Sequence, residues 1–283
     1  MNGVIVVNKD KGYTSRDVVN VVVKHFGTKK IGHTGTLDPM ATGVLVLCMG
    51  KCLKLVEMMM DHDKEYVAKI KLGIETDTLD VTGNVIREMD VPIITKEKVI
   101  EILNTFKGES KQQVPKYSAI KVNGKKLYEY ARNGEDVKLP VKDICIYDIE
   151  LISDIVDNSF SIKCHVSKGT YIRSLVRDIG YKLGTVAVME ELDRVSLGKF
   201  KLDDSYTIDD IKNGKYKVLD IKDVVDLPII KVDSDMEKSI RNGQVLKKFF
   251  DSKRVLIVNE FEEVLAIYEK KDEFNVKPYR MFI

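Results

Sequence analysis

Cysteine and histidine are scarce in this chain, with four of each in 283 residues. Cys145 and Cys164 sit in alternating apolar runs like small buried hydrophobes, a usage that fits a reducing compartment and offers no disulfide framework. Cys48 and Cys52 have no second pair or nearby histidine to complete a zinc pattern, and His62 and His165 are isolated, so no metal site is expected. No apolar run approaches the roughly 18 residues of a membrane span. Low-complexity tracts and internal repeats are absent, and the first residues lack the basic start and long apolar segment of a signal peptide. The expectation is a soluble, cytoplasmic globular protein without membrane contact. Net charge is also low, at +2, which by itself argues for no polyanionic partner. The distribution is uneven, however: residues 1–60 carry +4, residues 109–146 carry +3 and residues 163–182 carry +4. If those segments line one cleft, it attracts a polyanion such as RNA with strongly salt-dependent affinity.

The length suits one large domain and one small one. Up to about residue 225 the pattern alternates strands with amphipathic helices. From Leu227 the chain turns to short Val/Ile strands with a turn at Asn242-Gly243 and a basic Lys247-Lys248 pair. The reading is an α+β protein with a main domain over 1–225 and a small β-rich domain over 227–283.

The main domain is organised around Gly32 to Gly50, GHTGTLDPMATGVLVLCMG. Gly32, Gly35, Pro39 and Gly43 break regular backbone in its first half, while Val44 to Met49 is a continuous apolar run of the kind buried on both faces of a sheet. A loop anchored by such a strand holds its side chains rigidly, and its one carboxylate is Asp38. Before it, Gly3 to Asn8 reads as a buried strand, and Thr14 or Ser15 caps a helix with a Val18, Val19, Val22, Val23, Phe26 stripe ending at Gly27. After it, Lys51 to Met60 reads as a short helix with three methionines as core filler. KEYVAKIKLG alternates as a strand with Tyr66, Ala68, Ile70 and Leu72 on one face. Thr95 caps a helix to Phe106; Tyr117 to Val122 reads as a strand, Asn123-Gly124 as a tight turn and Lys125 to Arg132 as a helix. Ser159 to Val166 alternates as a strand. Thr170 is then placed to cap a helix whose Arg173 and Arg177 fall on its polar face.

GHTGTLDPMATGVL resembles the active-site loop of the TruB family, the tRNA pseudouridine-55 synthases, whose pattern GHTGxLDPxAxGxL carries the nucleophilic aspartate. Further segments resemble the same family in the same order. They are Lys9-Asp10-Lys11-Gly12-Tyr13-Thr14-Ser15, the KEY around Tyr66, Thr76-Asp77-Thr78-Leu79-Asp80-Val81-Thr82-Gly83, the stretch from Gln112 to Gly134, SKGTYIRSLVRDIG, and Leu192 to Phe200. Asp10 and Val114 stand where the family usually has proline. IRNGQVL in the last segment resembles the matching stretch of PUA-type RNA-binding domains.

The resemblance implies a catalytic domain built on a mixed β-sheet with flanking helices and a central cleft, followed by a small PUA-like domain. It implies Asp38 as nucleophile, Arg173 as its ion-pair partner and Tyr66 against the target base with a possible part in proton transfer. It also puts His33, Tyr171, Leu192 and Lys9 in substrate binding. No cofactor or metal is implied, and the expected partner is the T arm of tRNA, bound by a monomer. Two other readings fit parts of the sequence. GHTGT could be a nucleotidylyltransferase loop, although Thr36 stands where its second histidine would be. The basic segments alone would suit an RNA-folding factor without essential chemistry.

Overall fold

The computed structural model describes residues 1–283. Strands β1 (Gly3–Lys9), β2 (Thr42–Met49), β3 (Lys64–Leu72), β4 (Gly108–Gln113), β5 (Val141–Leu151), β6 (Ser159–Val166) and β7 (Ala187–Leu197) form one sheet. Their order is β1-β2-β7-β3-β6-β5-β4, with the short strands Ile31–His33 and Phe200–Lys201 paired to β2 and β7. Every neighbouring pair is antiparallel except β2 and β7, so the sheet is mixed. That parallel junction brings the strand leaving the Asp38 loop beside a strand from the far end of the domain.

Local signals explain the first helix, α1 (Ser15–Phe26). Thr14 and Asp17 form a reciprocal capping box, and Gly27 closes the helix in the left-handed conformation, φ 65°. The valine stripe lies on β1 and β2 with Ile5, Val7, Leu45 and Leu47 beneath it. Valine is a modest helix former, so this burial is what holds α1 in place. Helices α2 (Lys96–Asn104) and α3 (Ile172–Lys182) cover the other half of the sheet, packing Val99, Leu103, Leu175 and Ile179 against Ile70, Ile144 and Ile162. Leu37, Tyr66 and Leu192 belong to the same core. The site therefore stands on a packed base.

A smaller, curled sheet follows at the C-terminus. Its strands β8 (Ile229–Lys231), β9 (Leu246–Lys247), β10 (Arg254–Val258), β11 (Val264–Lys270) and β12 (Asn275–Met281) run in the order β8-β10-β11-β12-β9. Leu256, Ile267 and Phe282 pack into one cluster with Val4, Val6, Val44 and Val46, so the smaller sheet covers the face of β1 and β2 opposite α1. A helix at Ser234–Arg241, capped by Asp233, was not apparent in the strand-like pattern.

Tertiary partners redraw several expected elements. Gly32 and His33 lie in a short strand rather than in irregular loop, because they pair with Cys48 and Leu47. Only Lys121–Val122 of the Tyr117 to Val122 segment is strand. The carbonyls of Tyr117, Ser118 and Ile120 accept instead from Arg173, Tyr128 and Leu127, which leaves no ladder to form. The following helix starts at Leu127, after a two-residue strand at Lys125–Lys126. Residues 50–60 wind as a 3₁₀ helix and then an α-helix, with Met59 buried but Met60 exposed. Thr170 does not cap α3. The N-cap is Tyr171, whose N–H donates to Gln112 Oε1 at 2.8 Å while Gln112 Nε2 donates to its carbonyl at 3.1 Å.

Gly43 marks the tightest approach in the sheet. With φ at 99°, a Cβ there would lie 2.3 Å from Asp193 Oδ1 and 2.4 Å from Arg194 O, both on β7. Gly43→Ala is expected to cost about 3 kcal/mol through strain and forced separation of β2 from β7. A lower denaturant midpoint at unchanged slope would register that loss.

Candidate active site

The Asp38 loop is held from below by the first segment of the chain. Ser15 Oγ accepts from Leu37 N–H at 2.9 Å and donates to Leu37 O at 3.2 Å, and Gly12 N–H donates to Pro39 O at 2.8 Å. Asp38 O accepts from Ala41 N–H at 3.0 Å, closing the turn. Thr34 N–H donates to Val46 O at 3.0 Å and ties the loop back to β2. These contacts fix the backbone on both sides of Asp38, so its side chain points from a rigid frame.

The carboxylate meets Arg173 at the start of α3, with Arg173 Nε 3.0 Å from Asp38 Oδ2. Arg173 is no surface residue: its side chain is 8% exposed, against 35% for Asp38. The guanidinium is spread over four acceptors. Nη1 donates to Thr78 O at 2.9 Å and faces Asp80 Oδ2 at 3.7 Å, and Nη2 donates to Tyr117 O at 3.0 Å. Asp80 is buried and orients itself through Thr78 Oγ1 at 2.9 Å and Thr82 N–H at 3.0 Å. The pattern of the polar segment around Asp80 reads as a turn. Its function as a second counter-ion for Arg173 depends on a contact across 93 residues that no local rule supplies.

Burial pushes the Asp38 carboxyl above the usual aspartate range, Arg173 and Lys9 pull it back, and the Asp80 charge adds to the upward push. Both forms of the group are thus held closer in energy than in water.

Asp38 opens into a cavity of about 470 Å³ that Tyr66, Tyr171, Arg173 and Leu192 also line. Residues from four separated stretches of sequence converge there. Tyr117, Ser118, Lys64 and Arg194 share the lining; they lie inside the family-like segments but had no role assigned there, and Met60 joins them. Met60 had the look of core filler, and the Arg194 guanidinium is among the most buried side chains of the chain. Burial also raises the Tyr171 phenol above its ordinary value.

Lys9 and His33 lie outside the cavity lining. Lys9 is fully buried, and its Nζ donates to Tyr13 O at 2.7 Å, Asp10 O at 3.0 Å and Pro39 O at 3.4 Å. Burial brings its ammonium down to about 8 despite Asp10 and Asp38 nearby. It supports the loop rather than facing a ligand. Asp10, which replaces proline, contributes a carbonyl to the same support. His33 sits in the short strand beside β2, its imidazole held below its usual pKa by burial and by Arg16 and Arg194. Among His, Cys, Asp and Glu side chains, no group of three is arranged to hold a metal ion. No helix is long and apolar enough to cross a membrane.

Comparison with known proteins agrees with this geometry. The N-terminal domain model of the TruB family pseudouridylate synthases matches residues 23–172, and the C-terminal domain model of tRNA pseudouridylate synthase B matches residues 173–227. A tRNA pseudouridine synthase B of Caldanaerobacter subterraneus subsp. tengcongensis is 43% identical over 257 residues, covering 91% of this chain and 90% of that one. Those of Clostridium tetani and Staphylococcus aureus are each 42% identical, covering 97% and 99% of this chain and 94% and 99% of theirs. A chain in the crystal structure of a Cbf5-Nop10-Gar1 complex superposes with a TM-score of 0.72 at 25% identity, over 99% of this chain and 85% of its own. A chain of an H/ACA ribonucleoprotein bound to a substrate RNA containing 2'-deoxyuridine has the same fold, with a TM-score of 0.72. Matched over most of its length by family models and near-full-length relatives, the chain belongs to the TruB family of pseudouridylate synthases.

Proposed function

We propose that the protein converts uridine-55 in the T loop of tRNA to pseudouridine, with Asp38 as the nucleophile. The observation that carries this reading is the ion pair between Asp38 and a buried Arg173 inside a cavity that Tyr66, Tyr171 and Leu192 also line. The reaction is an isomerisation. The bond from ribose carbon-1' to uracil N1 breaks, the bond from carbon-1' to carbon-5 forms, carbon-5 gives up a proton and N1 gains one. Atoms and electrons balance without cofactor or metal. Arg173 keeps the carboxylate ionised and aimed. The uracil must leave its stack, and a ring such as Tyr66 offsets that cost by about 1–3 kcal/mol per stacked base. Tyr66 is also the cavity group assigned to the carbon-5 proton. Leu192 and Tyr171 shape the base pocket. Lys9 and His33 act on substrate only through the Asp38 loop.

In this reading the segment 1–225 is the catalytic domain and 227–283 a PUA-like RNA-binding domain, in a monomeric cytoplasmic protein whose partner is the tRNA T arm. Tritium release from carbon-5-labelled uridine in unmodified tRNA, without ATP or added metal, tests the function. Release at a single T-loop uridine is expected, and none from folded, tRNA-bound protein would sink it.

The pH dependence carries a sign. Because burial raises the Asp38 carboxyl, the acid limb of kcat/KM is expected above the ordinary aspartate value of 3.8. The Asp80 charge contributes to that rise, so Asp80→Asn should move the limb to lower pH even if it slows the reaction. A limb at or below the ordinary value in the parent would contradict this assignment.

A further inference from the structure

Two cations in the cavity wall have no carboxylate in ion-pair contact. Arg194 lies on β7 directly across from Tyr66 on β3 and is 1% exposed. Its Nε donates to Val44 O at 2.7 Å and its Nη2 to Gly35 O at 3.4 Å, which leaves Nη1 without a protein acceptor. Nη1 lies under the Asp38 loop, 3.6 Å from where a Cβ on Gly35 would be. Lys64 precedes Tyr66 by two residues on the same face of β3 and is also buried. Its Nζ donates to Met60 O at 2.8 Å and His62 O at 2.5 Å. Neither cation has a carboxylate oxygen within 4.0 Å. Burial and then the nearby Arg194 charge bring the Lys64 ammonium down to about 8, against the opposite pull of Asp63 and Asp61.

The charges do not balance. Asp38, Arg173 and Asp80 together leave one negative charge, which Lys9 under the loop offsets, whereas Arg194 and Lys64 bring two positive ones that Asp61 and Asp63 face only from beyond ion-pair distance of Lys64. A buried, unpaired cation is costly, and a site that keeps two beside a cavity is completed by an anion. A uracil ring brings no charge. A backbone phosphodiester brings one, with oxygens that match the free edge of a guanidinium.

We propose that Arg194 and Lys64 form an anion subsite beneath Gly35 that takes a backbone phosphodiester of the RNA, next to the nucleotide whose base stacks on Tyr66. This rests on the cavity being the seat of a flipped-out uridine. It adds a register device: the base is fixed at Tyr66 and the backbone at Arg194, so the sugar between them is delivered to Asp38.

The test uses a T-arm RNA hairpin and the full-length protein. Equilibrium binding is measured over a salt series on an Asp38→Asn background, so that the RNA is not turned over. Arg194→Met and Lys64→Met keep the apolar bulk and remove the charge. Each is expected to weaken binding about tenfold and to flatten the slope of log K against log salt by about 1. An uncharged methylphosphonate at one phosphate flanking the target should weaken binding by the parent protein and cost Arg194→Met nothing further. Variants that melt like the parent yet keep its salt slope and its methylphosphonate sensitivity would overturn the proposal. So would slower tritium release in an otherwise wild-type chain carrying Arg194→Met with an unchanged slope, since the guanidinium would then act on charge developing on the base. If Arg194→Met does not fold, Lys64→Met with the methylphosphonate series decides in the same way. Tritium release by the wild type separates failure of this subsite from failure of the uridine reading.

Discussion

Asp38→Asn is expected to abolish tritium release, by at least about 10⁴-fold, while the chain stays folded and binds its RNA within a few-fold of the parent. An amide cannot form the covalent adduct proposed for the carboxylate. It can still accept from Arg173 Nε, and Arg173 keeps Asp80, Thr78 O and Tyr117 O as partners. The guanidinium is therefore not orphaned. Burial raises the folded pKa of Asp38 above its unfolded value, so stability from this group is present below the unfolded pKa and lost as pH rises through the folded one. Asparagine removes that loss, and the melting temperature at neutral pH should stay level or rise slightly. Retained release would exclude Asp38 as nucleophile, and retained binding with no release would distinguish catalysis from RNA folding alone.

Arg173→Met should fail differently, losing stability as well as activity. The methionine leaves two carboxylates, Asp38 and Asp80, facing a site without a cation, and strands the carbonyls of Thr78 and Tyr117. Breaking a buried pair in this way costs about 3–5 kcal/mol, with the lower figure expected because the Asp38 carboxylate is a third open to the cavity. Without the guanidinium the Asp38 carboxyl loses its largest downward pull and rises further above its unfolded pKa. The variant should be least stable at neutral pH and recover as pH falls toward the unfolded aspartate value of about 4. Thermal melts across that window, beside the parent, check the sign. Arg173→Lys should restore little, since one ammonium cannot reach the acceptors that a planar fork serves together. A variant that loses activity with an unchanged melt would mean that Arg173 aims Asp38 without holding the site together.

Much of the frame was legible because it is written in short-range rules. Thr14, Asp17 and Gly27 bound α1 through capping and a left-handed close, all within a few residues of the helix. Lys64 to Leu72 alternates, and every second residue from Lys64 is buried. Val44 to Met49 is apolar throughout and buried throughout. In each case the residues that make the element also determine it.

By itself the sequence determined these elements, the rigid loop that carries Asp38 and the family to which the chain belongs. Tertiary structure alone decided how the site is wired. Arg173 belongs to an amphipathic helix whose pattern puts it on the polar side, yet it is buried because Asp38 and Asp80 come from other elements to neutralise it. Tyr117 to Ile120 has strand-forming residues but stays a loop because its carbonyls are taken by Arg173, Tyr128 and Leu127. Lys9 has the look of a substrate contact and is instead a buried prop, since the carbonyls of Asp10, Tyr13 and Pro39 close around its ammonium. Arg194 lies in a family-like segment, but nothing local showed that its guanidinium is buried beside the cavity without a carboxylate, because an arginine is unpaired only with respect to neighbours that folding supplies. Periodicity and capping act over a few residues, whereas the partner of a buried charge is chosen by three-dimensional proximity, which composition and spacing do not encode.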